Sequence, residues 1–247
     1  MRATHVIRAL GAADAVSVRR DSLLRGMVVV PLALAAAVRW VAPAAAARMG
    51  ALLGIDLAAV YPPLFGYILL LLPAAICGMV VGFLLLDQRD EQTLRALQVT
   101  PLPLWGYVAY RLAAPMLLSV AMTIVALPLS GVVALGPAAL LAVALAAAPI
   151  APAVALFLAA FAANKVQGFA LQKVMGVFLV VPALAPFLPM PWPVVAACLP
   201  TFWPAALLWQ TSAGGATPWG LFALGLLYQA VLLALLLRRF NVLMTGR

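Results

Sequence analysis

The chain has 247 residues, of which 67% are apolar and only 9% are charged, and its formal net charge is +9. A soluble domain is about 45–50% apolar and about 25% charged, and a disordered segment needs low hydrophobicity, so both classes are excluded. Because one membrane span needs about 20 apolar residues, the length predicts a polytopic membrane protein with about five to seven spans and no folded aqueous domain.

Residues suited to buried chemistry are scarce. The single histidine, His5, lies outside every apolar run, which excludes sites that need two imidazoles, such as HExxH zinc sites or histidine-ligated haem. Cys77 and Cys198 lie in apolar segments without a CxxC motif, and we interpret both as packing residues. Since the sequence has no GxxxxGK[ST] loop, the chain cannot hydrolyse ATP by that route alone.

The first 22 residues form a basic segment with helical periodicity. Val6 and Leu10 fall on one side of a helix, whereas Arg8 and Arg19 fall on the other. This pattern predicts an amphipathic helix that lies in the inner membrane interface. The alternative is a solvated leader whose periodicity is accidental.

Apolar runs divide the rest of the chain into six predicted spans. The uncharged run from Leu112 to Ala163 would be about 78 Å long as one helix, more than twice the hydrocarbon core. The chain must therefore turn back, and Gly136-Pro137 marks the turn. The spans are predicted at about 23–42, 64–86, 107–134, 138–162, from 174 to a break near 182–189, and at 219–237. Residues 43–62, which hold Arg48 and Asp56, are predicted to form a loop, and residues 164–173 a short polar loop.

The region between the fifth and sixth spans is rich in proline. Eight prolines fall between residues 182 and 218, so residues 189–217 cannot form one regular helix. We predict a broken, partly re-entrant external segment, with Trp192, Trp203 and Trp209 as interface anchors.

Charge distribution predicts the orientation. With the N-terminus inside, all but two of the 15 Lys and Arg residues face the cytoplasm, the exceptions being Arg39 and Arg48. This is a strong positive-inside signal, so both termini are predicted to be cytoplasmic, including the tail at 238–247. The basic charge then reflects topology, and no nucleic-acid partner is expected. The whole chain, 1–247, is predicted to form one transmembrane domain.

The segment after the second span carries the strongest local signals. Asp90 can cap a helix whose first turn contains Glu91. Leu94 and Leu97 share one face of that helix, and Pro101 ends it because the residue before a proline avoids the α region. The pattern predicts a short, amphipathic cytoplasmic helix suited to docking; the alternative is an ordinary connecting loop.

This segment, residues 90–102, resembles the loop after the second span in ABC-transporter permeases of the type-2 exporter class. The matching residues are Thr93, Leu94, Leu97, Thr100 and Pro101. Gln92 stands where that family has glycine. The basic N-terminus, six spans and broken external segment fit the same class. Small antibiotic-efflux permeases of the fluoroquinolone-exporter type are the nearest resemblance.

The resemblance implies a non-catalytic permease subunit in the bacterial plasma membrane, surrounded by membrane lipids. It would pair with itself or with a sister chain, and cytoplasmic ABC ATPase subunits would bind below. ATP and Mg would be bound by the ATPase, and no cofactor by this chain. The expected ATPase-coupling residues are Asp90, Glu91, Thr93, Leu94, Leu97 and Pro101.

The predicted spans contain few groups that could bind a polar substrate. Ion-coupled carriers usually keep an acid or histidine inside the membrane, and the central runs have none, which favours an external energy source. It also favours a lipophilic or amphipathic substrate, such as an antibiotic. Tyr67 and Gln229 are the candidate substrate-cavity residues. The alternatives are helix packing for Tyr67 and helix–helix hydrogen bonding for Gln229.

Three other functions are compatible with the sequence. An ion-coupled secondary transporter is disfavoured by the missing intramembrane acids. An integral membrane lipid-modifying enzyme would need metal-binding carboxylates, for which only Asp87, Asp90 and Glu91 cluster near the headgroups. A non-transporting assembly subunit is the third alternative.

Overall fold

A computed structural model describes residues 22–54, 56–90, 104–214 and 216–245. Within these ranges the chain is helical, without strands, which confirms the predicted all-α fold. The helices are α1 (Ser22–Leu53), α2 (Tyr61–Asp90), α3 (Leu104–Ser130), α4 (Pro137–Ala147), α5 (Ile150–Phe161), α6 (Lys165–Ala183), a 3-10 turn (Ala185–Phe187), α7 (Trp192–Ala196), α8 (Phe202–Ser212) and α9 (Trp219–Thr245). The predicted N-terminal interfacial helix lies outside the described residues.

Six stretches of the described chain are long and apolar enough to cross a membrane, as the sequence predicts. They are Val29–Leu53, Tyr61–Arg89, Ala109–Ser130, Pro137–Phe161, Lys165–Phe187 and Trp219–Leu243. The fourth is built from two helices, because Pro149 has no N–H and interrupts the hydrogen-bond ladder between α4 and α5.

The boundaries predicted for the first span are wrong. Its end was expected near residue 42, with a loop from 43 to 62, whereas α1 continues to Leu53. The Ala-rich sequence after Pro43 favours helix strongly enough to continue past the proline. Gly54, at φ 66°, then ends the helix in the left-handed conformation that glycine adopts without strain.

The fifth and sixth spans also differ from their predicted limits. The residues from 164 to 173, expected as a polar loop, belong mostly to α6, which begins at Lys165. The last helix continues beyond residue 237 to Thr245 and includes Arg238 and Arg239. Charged residues were interpreted as loop markers, but long cationic side chains can extend from a helix toward the membrane surface.

The central helix of the bundle is α2. Its buried side chains, such as Leu69, Leu70 and Leu85, pack against α3 and α5. Gly78 and Gly82 allow the closest approach, because a Cβ on Gly78 would lie 2.3 Å from the Ala151 carbonyl oxygen. These two glycines form a GxxxG motif, a pattern that lets membrane helices pack backbone against backbone.

Candidate functional site

The predicted coupling residues fall at the edge of the described chain. Asp90 is the last residue of α2, and its side chain is outside the described part of the structure. Residues 91–103 lie outside the described ranges, and with them Glu91, Thr93, Leu94, Leu97 and Pro101. The coupling role of these residues stays a prediction, and the structure describes the framework immediately before them.

That framework is anchored by Arg89. Its guanidinium donates hydrogen bonds to the carbonyls of Ala159, at 3.1 Å, Ala162, at 2.6 Å, and Ala163, at 2.7 Å. These carbonyls lie at the C-terminal end of α5, where helical carbonyls lack partners and the helix dipole is negative. One cation therefore fixes the end of α2 to the end of α5.

A second set of contacts fixes the same end of α2 to the start of α6. Asp87 forms an ion pair with Lys165 at 2.7 Å. The Asn164 side chain caps α6 by accepting from the Gln167 N–H, and the Gln167 side chain accepts from the Ala163 N–H. This reciprocal arrangement is similar to a capping box, and it makes the turn from α5 to α6 a defined support for α2.

Tyr67 lies in the interior at the opposite half of α2. It is 3% exposed, and its hydroxyl donates to the Leu179 carbonyl of α6 at 2.5 Å. Its ring stacks on Trp209 of α8, whose indole N–H donates to the Pro63 carbonyl at 3.2 Å. These contacts connect α2, α6 and α8, and a role for Tyr67 in substrate binding stays a prediction.

Gln229 is also buried between helices. It is 2% exposed, and its Nε2 donates to the Ala146 carbonyl at 3.0 Å. Ala146 lies in the last turn of α4, whose carbonyls have no partner within that helix. Its Oε1 has no hydrogen-bond partner in the structure. The side chain thus connects α9 to the interrupted fourth span, and its contact with substrate stays a prediction.

Thr201 compensates for a second proline break. Pro182 has no N–H, so the Phe178 carbonyl, four residues earlier in α6, loses its helical partner. The Thr201 hydroxyl donates to that carbonyl at 3.3 Å. In a membrane an unpaired backbone group is costly, so this contact stabilises the junction between α6 and the segment before α8.

We expect Thr201→Val to lower the free energy of unfolding by about 1–3 kcal/mol, because it leaves the Phe178 carbonyl without a donor. Thr211→Val is the matched control, since Thr211 is also buried but its hydroxyl donates to the Leu207 carbonyl of its own helix. Thermal unfolding in detergent measures both variants. Equal losses in the two would contradict this role for Thr201.

Two features were missed at the sequence level. Gly78 and Gly82 could have been found as a GxxxG motif in an apolar segment. Arg89 was counted only toward topology, and no sequence signal marks it, because its acceptors are backbone carbonyls. Among the described residues, no group of three His, Cys, Asp or Glu side chains could hold a metal ion.

The six apolar helices define a multi-pass integral membrane protein. Residues 14–237 match the family described as fluoroquinolones export permease protein Rv2686c-like, and the chain belongs to this family. Two proteins of Mycobacterium tuberculosis are 30% identical to it over 237 residues, 95% of this chain and 94% of theirs. They are the fluoroquinolones export permease proteins MT2760, of strain CDC 1551 / Oshkosh, and Rv2686c, of strain H37Rv.

No solved structure is significantly similar to this chain. The family membership confirms the resemblance, predicted from the sequence, to efflux permeases of the fluoroquinolone type. It also classifies the chain as a non-catalytic transport subunit.

Proposed function

We propose that this chain is the membrane-spanning permease subunit of an ABC exporter. It moves a lipophilic or amphipathic small molecule, of the fluoroquinolone kind named for its relatives, out of the cytoplasm or inner leaflet. The observation that carries the proposal is the match of residues 14–237 to a family of export permeases. A separate ABC ATPase binds ATP and Mg and supplies the energy, and this chain binds no cofactor.

In this proposal, residues 90–101 transmit ATPase movements to the spans. The contacts of Arg89 support it, because the helix end just before this segment is fixed to α5 and, through Asp87, to α6. A displacement of Glu91 or Leu94 by the ATPase would therefore act on three helices together. ATP binding changes the preferred arrangement only through such differential contacts.

We propose the orientation with both termini in the cytoplasm. The distribution of described cations supports it. One end of the bundle holds three cations, Arg89, Lys165 and Arg239. The Arg239 guanidinium carbon lies 4.6 Å from the centre of the Phe161 ring, near the end of α5. Arg39 lies at the other end, beside the end of α3. The positive-inside rule then assigns the Arg89 end to the cytoplasm.

The remaining parts of the proposal concern assembly. The chain forms one transmembrane domain, with an interfacial helix at 1–22, and it pairs with a second copy or a sister permease in contact with membrane lipids. The short helices between residues 185 and 212 form the broken external segment, which partly re-enters the membrane. Their hydrogen bonds to α2 and α6 support this, because irregular backbone at membrane depth must be buried in protein.

Co-purification tests the ATPase partner and the coupling segment together. We expect the tagged chain, extracted in mild detergent, to bring down a phosphate-loop ATPase at stoichiometric level. Glu91→Arg and Leu94→Asp should lower its recovery by about tenfold, since interface energy is concentrated in few residues. Arg48→Glu is the control, because Arg48 is exposed in α1, far along the chain from the coupling segment.

Two outcomes would contradict the proposal. If no ATPase co-purifies with the wild-type chain, an energy source of another kind must be sought. If the ATPase remains bound in both variants as it does in Arg48→Glu, it binds elsewhere. Gel filtration of each variant shows that a loss reflects docking and not unfolding.

A further inference from the structure

Three adjoining clefts surround Tyr61, the first residue of α2. One lies between α1 and α2 and has a volume of about 400 Å³. The other two, of about 370 and 310 Å³, adjoin it, since they share with it the lining residues Ala46 and Val38, respectively. The Tyr61 side chain lines all three clefts, so it is a wall common to the whole group.

The largest cleft is apolar. Its walls are aliphatic and aromatic side chains of both helices, such as Leu34, Met49 and Phe65. Ligand pockets for small molecules are usually about 300–1,000 Å³ and mostly apolar, so this cleft has the size and lining for the body of such a molecule. A naked charge would be disfavoured in it.

The two flanking clefts carry opposite charges. One is lined by Asp56, whose Oδ1 accepts a hydrogen bond from the Ala58 N–H at 3.0 Å. The other is lined by Arg39, whose Nη1 lies 3.4 Å from the Leu129 carbonyl, longer than most hydrogen bonds. Among the described residues neither side chain forms an ion pair, with each other or with a third group.

Charged residues are rare in this part of the chain. Arg39, Arg48 and Asp56 are the only charged residues between Arg25 and Asp87. Asp56 and Arg39, one acidic and one basic, line the clefts next to Tyr61, whereas Arg48 lines none of the three clefts. The apolar cleft therefore adjoins one cleft lined by a carboxylate and another lined by a guanidinium.

We infer that these clefts form a binding site for a zwitterionic amphiphile. Its apolar body occupies the cleft between α1 and α2, its cationic group faces Asp56, and its anionic group faces Arg39. The inference rests on the proposed export function and specifies the substrate class. A piperazinyl fluoroquinolone has this chemistry, and so does phosphatidylethanolamine with its acyl chains, and the experiment separates the two sources.

The test compares three probes that share one ring system and carry both charges, only the cation or only the anion. They are a piperazinyl fluoroquinolone, its ethyl ester, which keeps only the cation, and its N-acetyl derivative, which keeps only the anion. Binding to the purified full-length chain in detergent is followed by quinolone fluorescence. We expect the wild-type chain to prefer the zwitterion over each derivative by about fivefold, a factor typical of one partly exposed charge contact.

Two substitutions should each remove one preference. Asp56→Asn should abolish the preference over the N-acetyl derivative and keep the preference over the ester. Arg39→Gln should do the reverse. Arg48→Gln is the matched control and should keep both preferences, since Arg48 is a cation of α1 outside the clefts. If the three variants bind every probe alike, or lose all probes equally, the inference is overturned.

A competition experiment with lipids shows whether a lipid also binds at this site. Phosphatidylethanolamine and phosphatidylglycerol are titrated against the bound fluoroquinolone. Displacement of the probe by phosphatidylethanolamine but not by phosphatidylglycerol, and only from the wild-type chain, would support the zwitterion site. If Asp56→Asn and Arg39→Gln both lose this displacement, the lipid is a second ligand of the same site. If phosphatidylglycerol displaces the probe equally well, Asp56 does not select a cation and the inference fails.

The outcome is independent of the ATPase experiment. Probe binding is measured on the isolated chain, so a missing ATPase would contradict the proposed function and leave the binding result intact. Conversely, a co-purifying ATPase together with charge-independent probe binding would retain the exporter and remove this site.

Discussion

Replacing Gly78 by alanine is expected to destabilise the helix bundle by about 1–3 kcal/mol, and replacing it by leucine is expected to prevent folding. A Cβ at Gly78 would lie 2.3 Å from the Ala151 carbonyl oxygen and 2.8 Å from the Val154 Cβ. Both atoms belong to the helical framework of α5, so the two central helices must separate. Thermal unfolding in detergent and the monodisperse fraction on gel filtration measure the effect.

Gly176 supplies the control for this prediction. It lies inside α6, and a Cβ there would meet nothing within 4 Å. Because alanine is favoured over glycine in helices by about 1 kcal/mol, Gly176→Ala should match or exceed the wild-type stability. If Gly78→Ala is as stable as Gly176→Ala, then the close approach of α2 and α5 does not contribute to folding.

Replacing Arg89 by glutamine should lower the free energy of unfolding by about 1.5–3 kcal/mol, the value of hydrogen bonds to a charged group. Three carbonyls at the end of α5 lose their shared donor. Arg89→Lys should recover only part of the loss, because a single ammonium cannot reproduce the guanidinium fork. Thermal unfolding in detergent is again the measurement.

Lys165→Gln is the matched control for Arg89, since it removes a cation at the same end of the bundle. The Lys165–Asp87 pair is solvent-accessible, with side chains 53% and 34% exposed, so its loss should change stability by about 1 kcal/mol or less. Equal effects of Arg89→Gln and Lys165→Gln would mean that Arg89 acts through general charge and not through its backbone contacts.

The number of spans could be predicted from the sequence because each depends on a local apolar run. Their limits could not. Arg48, Asp56 and the charges around Asn164 suggested loops, yet Ala-rich sequence continues α1 and a side-chain cap begins α6 nine residues before the predicted start at 174. Helix ends depend on capping and on neighbouring helices, which a hydropathy pattern does not contain.

Contacts between distant segments were the least accessible to sequence reasoning. Proline indicated the break near 182, whereas the interruption at Pro149 lies inside the span predicted at 138–162. Nothing in the sequence indicates that Thr201 and Gln229 supply the donors beside these two breaks. Tyr67 and Gln229 were chosen as polar residues within apolar spans, and the structure places both between helices. Their partners are more than 80 residues away along the chain, beyond any local periodicity.

Four of the hydrogen bonds that connect described helices have a common form, in which a side chain donates to a backbone carbonyl. Tyr67, Arg89, Thr201 and Gln229 all do so. The acceptors are backbone carbonyls, and the side chains of those residues take no part in the bonds. The residues that carry the carbonyls can therefore be exchanged without loss of the contact. Only the donors are chemically restricted, which lets the helix surfaces diverge widely while the bundle keeps its internal connections.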